Sequence, residues 1–277
     1  MVTNGDSKDT AAGQQPLSAD DYPELGLEHV HALGVDPADG VLYAASHFGI
    51  FRIPATGKAT RVANRYQDTM GFTITGPNTF LGSGHPDLRE NLPSRLGLIE
   101  STDGANTWVP LSLSGKADFH TLHAVHGRVY GYESGSGTFM VSPDRVQWET
   151  RSTRPMRDFV VDPQDPENIL ATTSDGLLRS TDGGRTWAAV AGAPTLVVVA
   201  WASPDTLYGI DTDGAVHHSR DGGAGWTERG TIAGEPEALT VDVRNGAQTL
   251  YVAAERGILQ STDGGTSFTT RYADRSS

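Results

Sequence analysis

Seven of the nine histidines in this chain fall in its first half: His29, His31, His47, His85, His120, His123 and His126. Imidazole nitrogen is a ligand for zinc, copper, nickel and iron, and three or four imidazoles with one carboxylate make a transition-metal site. Asp68 and Asp118 lie in the same stretch and supply carboxylates, while Met70 supplies a soft thioether that tilts the choice toward copper over zinc. On a strand, His29 and His31 would share one side and could converge with histidines arriving from turns. The chain has no cysteine, which excludes disulfides, thiolate nucleophiles and Cys-ligated zinc or iron–sulfur centres. The same imidazoles could also line a metal-free polar pocket, or simply satisfy one another and the neighbouring carboxylates.

What would gather them is an internal repeat. STDGANTW from Ser101 returns as STDGGRTW from Ser180, SRDGGAGW from Ser219 and STDGGTSF from Ser261, with a shortened SPDRVQW from Ser142 and a decayed IPATGKAT near Ile53. Each turn follows a paired-strand signature such as ILATTSDGLLR or TLYGIDTDGAVHH, and a further strand candidate precedes each pair. Four strands in each of six units predict an all-β, six-bladed β-propeller of four-stranded antiparallel blades, a single domain over residues 25–277. Residues 1–24, polar and rich in small side chains, read as a disordered tether. Within the turns, Asp103, Asp182, Asp221 and Asp263 can fold back on the amides of their own loop while Trp108, Trp187 and Trp226 pack between strands, a structural staple without the ligand count of a calcium site.

If these turns occupy one face of the disc, chemistry belongs on the other. Aligning the units places His31, Met70, His120, Arg157 and Glu237 at equivalent positions in the first strands of blades 1, 2, 3, 4 and 6, with blade 5 ambiguous. His47 and His85 hold equivalent second-to-third turns, and Asp68 and Asp118 sit two residues before Met70 and His120. The expected metal set is therefore His29, His31, His47, His85 and His120, with Met70 nearby. The candidates for metal-free catalysis are Asp68, Asp118, Glu237 and Arg157. The long turn HPDLRENLPSRLG would overhang this sector, and Tyr132 and Trp201 could stack on a sugar or peptide.

The S-x-D-G-x-x-T-W turn resembles the Asp-box, or BNR, motif of sialidases, sortilin-type receptors and photosystem II assembly propellers. From about Leu27 to Tyr272, through HVHALGVDPADG, ASHFGIF, QDTMGF, SGHP, LGLIESTDG and DFHTLHAVHGRVY, the chain resembles bacterial exported Asp-box proteins of the glycosyl-hydrolase-like kind. That resemblance implies the fold and export, as a secreted or lipid-anchored protein, but no particular reaction. A sialidase would hold a carboxylate with three arginines; here only Arg157 sits at a first-strand position, with Arg89 and Arg95 on the long turn, so that activity is disfavoured.

Bulk properties narrow the rest. A net charge of −13 repels phosphate backbones and anionic lipid, so nucleic acid is not an expected partner. No apolar run is long enough to span a membrane, and no nucleophile-elbow, zincin, phosphate-loop or dinucleotide motif occurs. The expected protein is a monomer that takes a small-molecule, glycan or metal ligand, with copper or zinc as the implied cofactor. Three functions stay open: a metal-binding protein or metal-dependent hydrolase or lyase, a metal-free glycoside hydrolase-like enzyme, and a propeller that binds a polypeptide.

Overall fold

Each repeat unit folds as its own sheet. The computed structural model describes residues 26–255 and 257–273; the tether read in residues 1–24 lies outside them. Blade 1 contains β1 (Val30–Val35), β2 (Leu42–Ser46), β3 (Gly49–Ile53) and β4 (Thr60–Arg61). Blade 2 contains β5 (Asp68–Gly76), β6 (Thr79–His85), β7 (Leu98–Ser101) and β8 (Val109–Ser112). Blade 3 contains β9 (Phe119–Val125), β10 (Arg128–Glu133), β11 (Thr138–Ser142) and β12 (Glu149–Ser152). Blade 4 runs through β13 (Asp158–Val161), β14 (Ile169–Thr173), β15 (Gly176–Ser180) and β16 (Ala188–Ala189). Blade 5 runs through β17 (Leu196–Ser203), β18 (Thr206–Asp211), β19 (Ala215–Ser219) and β20 (Thr227–Thr231). Blade 6 ends the ring with β21 (Pro236–Arg244), β22 (Ala247–Ala254), β23 (Gly257–Ser261) and β24 (Thr269–Ala273). Every blade is an antiparallel sheet of four consecutive strands, so the chain is a six-bladed β-propeller, as its repeat predicts.

The apolar core is not central. It is divided into wedges, one per seam between neighbouring blades, because a blade can bury its two faces only against other blades. The blade 3/4 seam joins Tyr130, Phe139 and Val141 to Phe159, Ile169 and Trp187. In the blade 6/1 seam Leu27, Leu33 and Phe51 meet Ala253 and Ile258. Among the described residues that last seam carries no strand shared between blades: each end blade has its four strands from consecutive chain. Besides apolar contact it is bonded by Arg271 Nη2 donating to the Ile53 carbonyl at 3.1 Å and by Glu237, whose Oε2 accepts the Val30 amide at 2.9 Å.

The repeated turns link third and fourth strands and show why their sequence recurs. In blade 4 the Ser180 hydroxyl donates to Asp182 Oδ1 at 2.8 Å and accepts the Gly184 amide at 2.8 Å, while Asp182 Oδ1 also accepts the amide of Thr186 at 2.9 Å. Gly183 and Gly184 take φ values of 70° and 91°, which a side chain resists, and a Cβ on Gly184 would strike the Phe139 ring. Asp221 and Asp263 repeat this pattern with Gly223 and Gly265, and Asp103 does so with Ala105. The aromatic that follows each turn seals the seam toward the preceding blade: Trp108 between blades 1 and 2, Trp187 between 3 and 4, Trp226 between 4 and 5.

Because Ser180 is almost fully buried, Ser180→Ala should leave the Gly184 amide without an acceptor. The expected loss is about 1–3 kcal/mol of unfolding free energy. Chemical denaturation checks it, and an unchanged midpoint would show that the turn does not depend on this bond.

Candidate functional site at the channel mouth

A cavity of about 580 Å³ runs along the propeller axis, walled by the first strands of all six blades. The mouth opposite the repeated turns is shaped by a recurrent irregularity. In the pairing of first to second strands, one residue is skipped between Val30 and Ala32, Thr69 and Gly71, Phe119 and Thr121, Leu196 and Val198, and Pro236 and Ala238. The bulged residues are thus His31, Met70, His120, Val197 and Glu237. A bulge leaves one residue out of the ladder and re-aims its side chain, and next to a site it does so repeatedly in related units. This defines the equivalence drawn from the sequence, and it settles blade 5 as Val197. In blade 4 the equivalent Arg157 instead starts the pairing, its amide donating to the Thr172 carbonyl at 2.8 Å.

The histidines gather as two groups rather than one. In the first, His31 Nε2 lies 3.3 Å from His47 Nδ1 and 3.3 Å from Asp68 Oδ1, and His47 Nδ1 lies 3.1 Å from the same oxygen. A ring nitrogen of His29 lies within 4.8 Å of those of His31 and His47. The His29 and His47 rings stack at 5.0 Å, with the His31 ring edge-on to both. His29 holds a left-handed φ of 45° at the entry to β1, a conformation unfavourable by on the order of 1 kcal/mol for a residue with a Cβ. Glu237 secures that kink from blade 6, with Oε1 at 3.3 Å from His29 Nδ1 and Oε2 on the Val30 amide.

The second group centres on Asp118. His85 Nε2 and His120 Nε2 lie 3.3 and 3.2 Å from Asp118 Oδ2. His85 Nδ1 donates to the Ser94 carbonyl at 2.6 Å, so the long β6–β7 turn orients that ring. The turn itself is braced on blade 1, where Asp87 accepts the Tyr66 amide at 2.8 Å and Arg65 pairs with Glu90. The Asp87 carboxyl is held at about 2 although burial pushes it up, because Arg89 and backbone amides bond it. Residues at one level on blades 1 and 3 are separated by two blade rotations around the channel, which is why imidazoles equivalent in register do not close into one set. Asp68 and His85 face each other across the β5–β6 pair, so the two groups are neighbours.

The remaining candidates take defined places. Met70 lines the same cavity. Glu237 and Asp158, both carboxylates of the mouth, are engaged by backbone: Asp158 accepts the Phe159 amide at 2.8 Å and that of Val199 in the next blade at 3.0 Å. Tyr132 is buried in the blade 3/4 seam and is not placed to stack on a ligand. Trp201 lies at the far end of β17, its indole donating to the Pro204 carbonyl, so it lines the channel toward the opposite face. His123, which is not in the expected metal set, also lines the channel, edge-on to Phe159 at 5.1 Å.

Protonation states follow from burial. Burial lowers the His31 pKa below its usual value, outweighing the opposing hydrogen bond and charge of Asp68. Burial pushes Asp68 up, but its hydrogen bonds and charge interactions with His31 and His47 outweigh that and leave it below the ordinary carboxylate range. A neutral imidazole beside a carboxylate anion is the state that cation ligation requires. Desolvation raises Asp158 to about 6 despite its amide bonds. His123 falls to about 4 because protein surrounds it, although its ring touches the channel.

No protein-family model matches this chain. A 232-residue stretch is 26% identical to a probable oligoxyloglucan-reducing end-specific xyloglucanase of Neosartorya fischeri, covering 68% of this chain and 28% of that protein. Among solved structures, the GH74 xyloglucanase from Xanthomonas campestris superposes with a TM-score of 0.60 at 17% identity, over 88% of this chain and 45% of the enzyme. A chain of a nidogen/laminin complex gives 0.64 at 12% identity, over 84% and 93%. YCF48 from Cyanidioschyzon merolae gives 0.56 at 11%, over 83% and 94%. This chain therefore spans little more than a quarter of the curated xyloglucanase and less than half of the Xanthomonas enzyme. These likenesses are of fold: the chain is a β-propeller similar to those of the xyloglucanase, the nidogen/laminin complex and YCF48. Among the described residues no helix is long and apolar enough to cross a membrane.

His123 yields a pH test. Its folded pKa lies below the unfolded value of about 6.5, so its contribution to stability is complete above that value and is lost as pH falls toward 4. Wild type should lose up to ~3 kcal/mol more than His123→Gln between pH 7 and pH 4. Urea titrations of both proteins at the two pH values measure the difference, and parallel losses would rule out this origin.

Proposed function

We propose that this chain is a transition-metal-binding propeller whose ion, zinc or copper, is held at the channel mouth by His29, His31, His47 and Asp68. The observation that carries the reading is the triangle of His31 Nε2, His47 Nδ1 and Asp68 Oδ1, with edges of 3.3, 3.3 and 3.1 Å. Bonds of about 2.0–2.1 Å place ligand atoms roughly 3.3 Å apart around a tetrahedral ion and roughly 3 Å apart around an octahedral one. Hydrogen bonds serve the triangle poorly. Either two N–H groups converge on one oxygen from neighbouring directions, or an imidazole lone pair faces a carboxylate. Glu237 then has the position of the outer carboxylate that orients a ligating imidazole through its other nitrogen.

When bound, such an ion would polarise a substrate oxygen or lower the pKa of a water, which suits hydrolysis or elimination on a polar ligand in the cavity. The xyloglucanase relative directs the search for that ligand toward saccharides. A set of nitrogen and oxygen donors without cysteine also suits an oxidising, extracytoplasmic setting, in keeping with the resemblance to exported proteins. Asp158 supports a second reading, a metal-free glycoside hydrolase-like enzyme, because a carboxyl raised to about 6 in a cavity has the environment of a general acid.

Protein purified without a polyhistidine tag and reconstituted with zinc or copper should hold about one equivalent by elemental analysis. His31→Ala and Asp68→Ala should each bring it below a tenth. Glu237→Gln should weaken metal affinity about tenfold or more while keeping the stoichiometry. Wild type that takes up no metal sinks this reading, and glycan turnover that survives chelation but is lost in Asp158→Asn establishes the second.

A further inference from the structure

The mouth carries one cation without an ion-pair partner among the described residues, although the neighbouring Asp158 carboxylate feels its charge. Arg157 precedes β13 and is the sole arginine or lysine among the described residues that line the channel cavity. Its backbone is fixed, the amide on Thr172 and the carbonyl accepting the Thr121 hydroxyl at 3.5 Å. Its side chain is exposed, and no carboxylate among the described residues lies within ion-pair distance of the guanidinium. Elsewhere in this acid-rich chain several arginines are paired: Arg52, Arg65, Arg89, Arg128 and Arg145 each reach a carboxylate within 2.5–2.8 Å.

The acids of the mouth are already engaged. Asp68 faces His31 and His47, Asp118 faces His85 and His120, Glu237 holds His29 and the Val30 amide, and Asp158 bonds the Val199 and Phe159 amides. Glu235 and Glu255 on blade 6 are exposed and lie outside the cavity wall. What the cavity offers to a ligand is therefore imidazole and guanidinium, in a protein whose net charge is −13. Blades follow one another in chain order around the ring, so Arg157 on blade 4 faces the His29, His31 and His47 group on blade 1 across the channel. A guanidinium presents two parallel N–H donors to a planar carboxylate, which gives both affinity and orientation.

We propose that the ligand of this cavity is a carboxylate-bearing saccharide, its carboxylate bound by Arg157 and its opposite end directed at the blade 1 imidazoles. The role of the imidazole end rests on the metal reading; the role of Arg157 does not. A neutral sugar would leave the guanidinium without a partner when it displaced the mouth water, which is a basis for rejecting it.

The test is calorimetric titration of zinc-loaded and metal-free protein with glucuronate, its neutral analogue glucuronamide, and glucose 6-phosphate. Glucuronate should bind about tenfold tighter than glucuronamide. Arg157→Gln should abolish that preference with metal content, measured separately by elemental analysis, unchanged. Equal binding of acid and amide, no binding of either, or a preference that survives Arg157→Gln overturns the proposal. Tighter binding of glucose 6-phosphate than of glucuronate overturns the carboxylate assignment. Should the protein hold no metal while the Arg157-dependent preference persists, the metal reading fails and this inference stands.

Discussion

The structure depends on one constraint: a four-stranded blade has two apolar faces and can bury them only against other blades. Six wedge-shaped cores result, with residues such as Phe139 and Leu42 wholly enclosed in the seams while the axis is left open. An open axis means that the free edge of each first strand faces water, and an unpaired edge tolerates irregularity that a central strand does not. The bulges at His31, Met70, His120, Val197 and Glu237 sit on that edge, where breaking the ladder costs least. Seam packing and site geometry thus have one origin. The same architecture that forces the core outward leaves four blades with a bulged residue lining the channel, His31, Met70, His120 and Glu237, while Val197 packs into the seam.

Much of this was legible in the sequence because the repeat has short-range causes. Ser180, Asp182, Gly183 and Gly184 are bonded within one turn, so their spacing is conserved along the chain by local geometry, and counting those turns counts blades. Strand register was legible for the same reason, being fixed by hairpins only a few residues long. The division of the histidines was not. Whether His120 meets His31 depends on rotation between blades, a long-range quantity with no trace in local spacing. The orientation of His85 depends on the Ser94 carbonyl in a turn without periodicity. The depth of Trp201 in the channel was not legible either, because alignment gives the level of a residue only by its distance from the bulge, and Trp201 lies four residues beyond Val197 along β17.

The electrostatics of the mouth set it apart from the rest of the surface. Elsewhere carboxylates pair with arginines in exposed bridges, arrangements that contribute little and leave solvent access intact. At the mouth they pair with imidazoles, and burial lowers the pKa of one of them, His31, so that this pairing does not compensate the charge of Asp68 as an arginine would. A carboxylate flanked by neutral bases attracts a cation, and a guanidinium across the channel attracts an anion. Both tendencies grow as the cavity is closed to water, because the dielectric that screens them falls.

The first group of histidines also stands at the one seam that closes the ring. Among the described residues blade 1 and blade 6 share no strand, and Glu237 joins them through the Val30 amide and the His29 ring. A ligand that orders His29 therefore orders the residue beside the closing bond. Binding free energy gained there would be available to ring closure and would offset the cost of the left-handed φ at His29. Propellers that close by sharing a strand between the first and last blades have no need of such coupling. In this chain Glu237 ties the histidine group to the closing seam, so a ligand held by His29 and the closure of the ring would be thermodynamically linked.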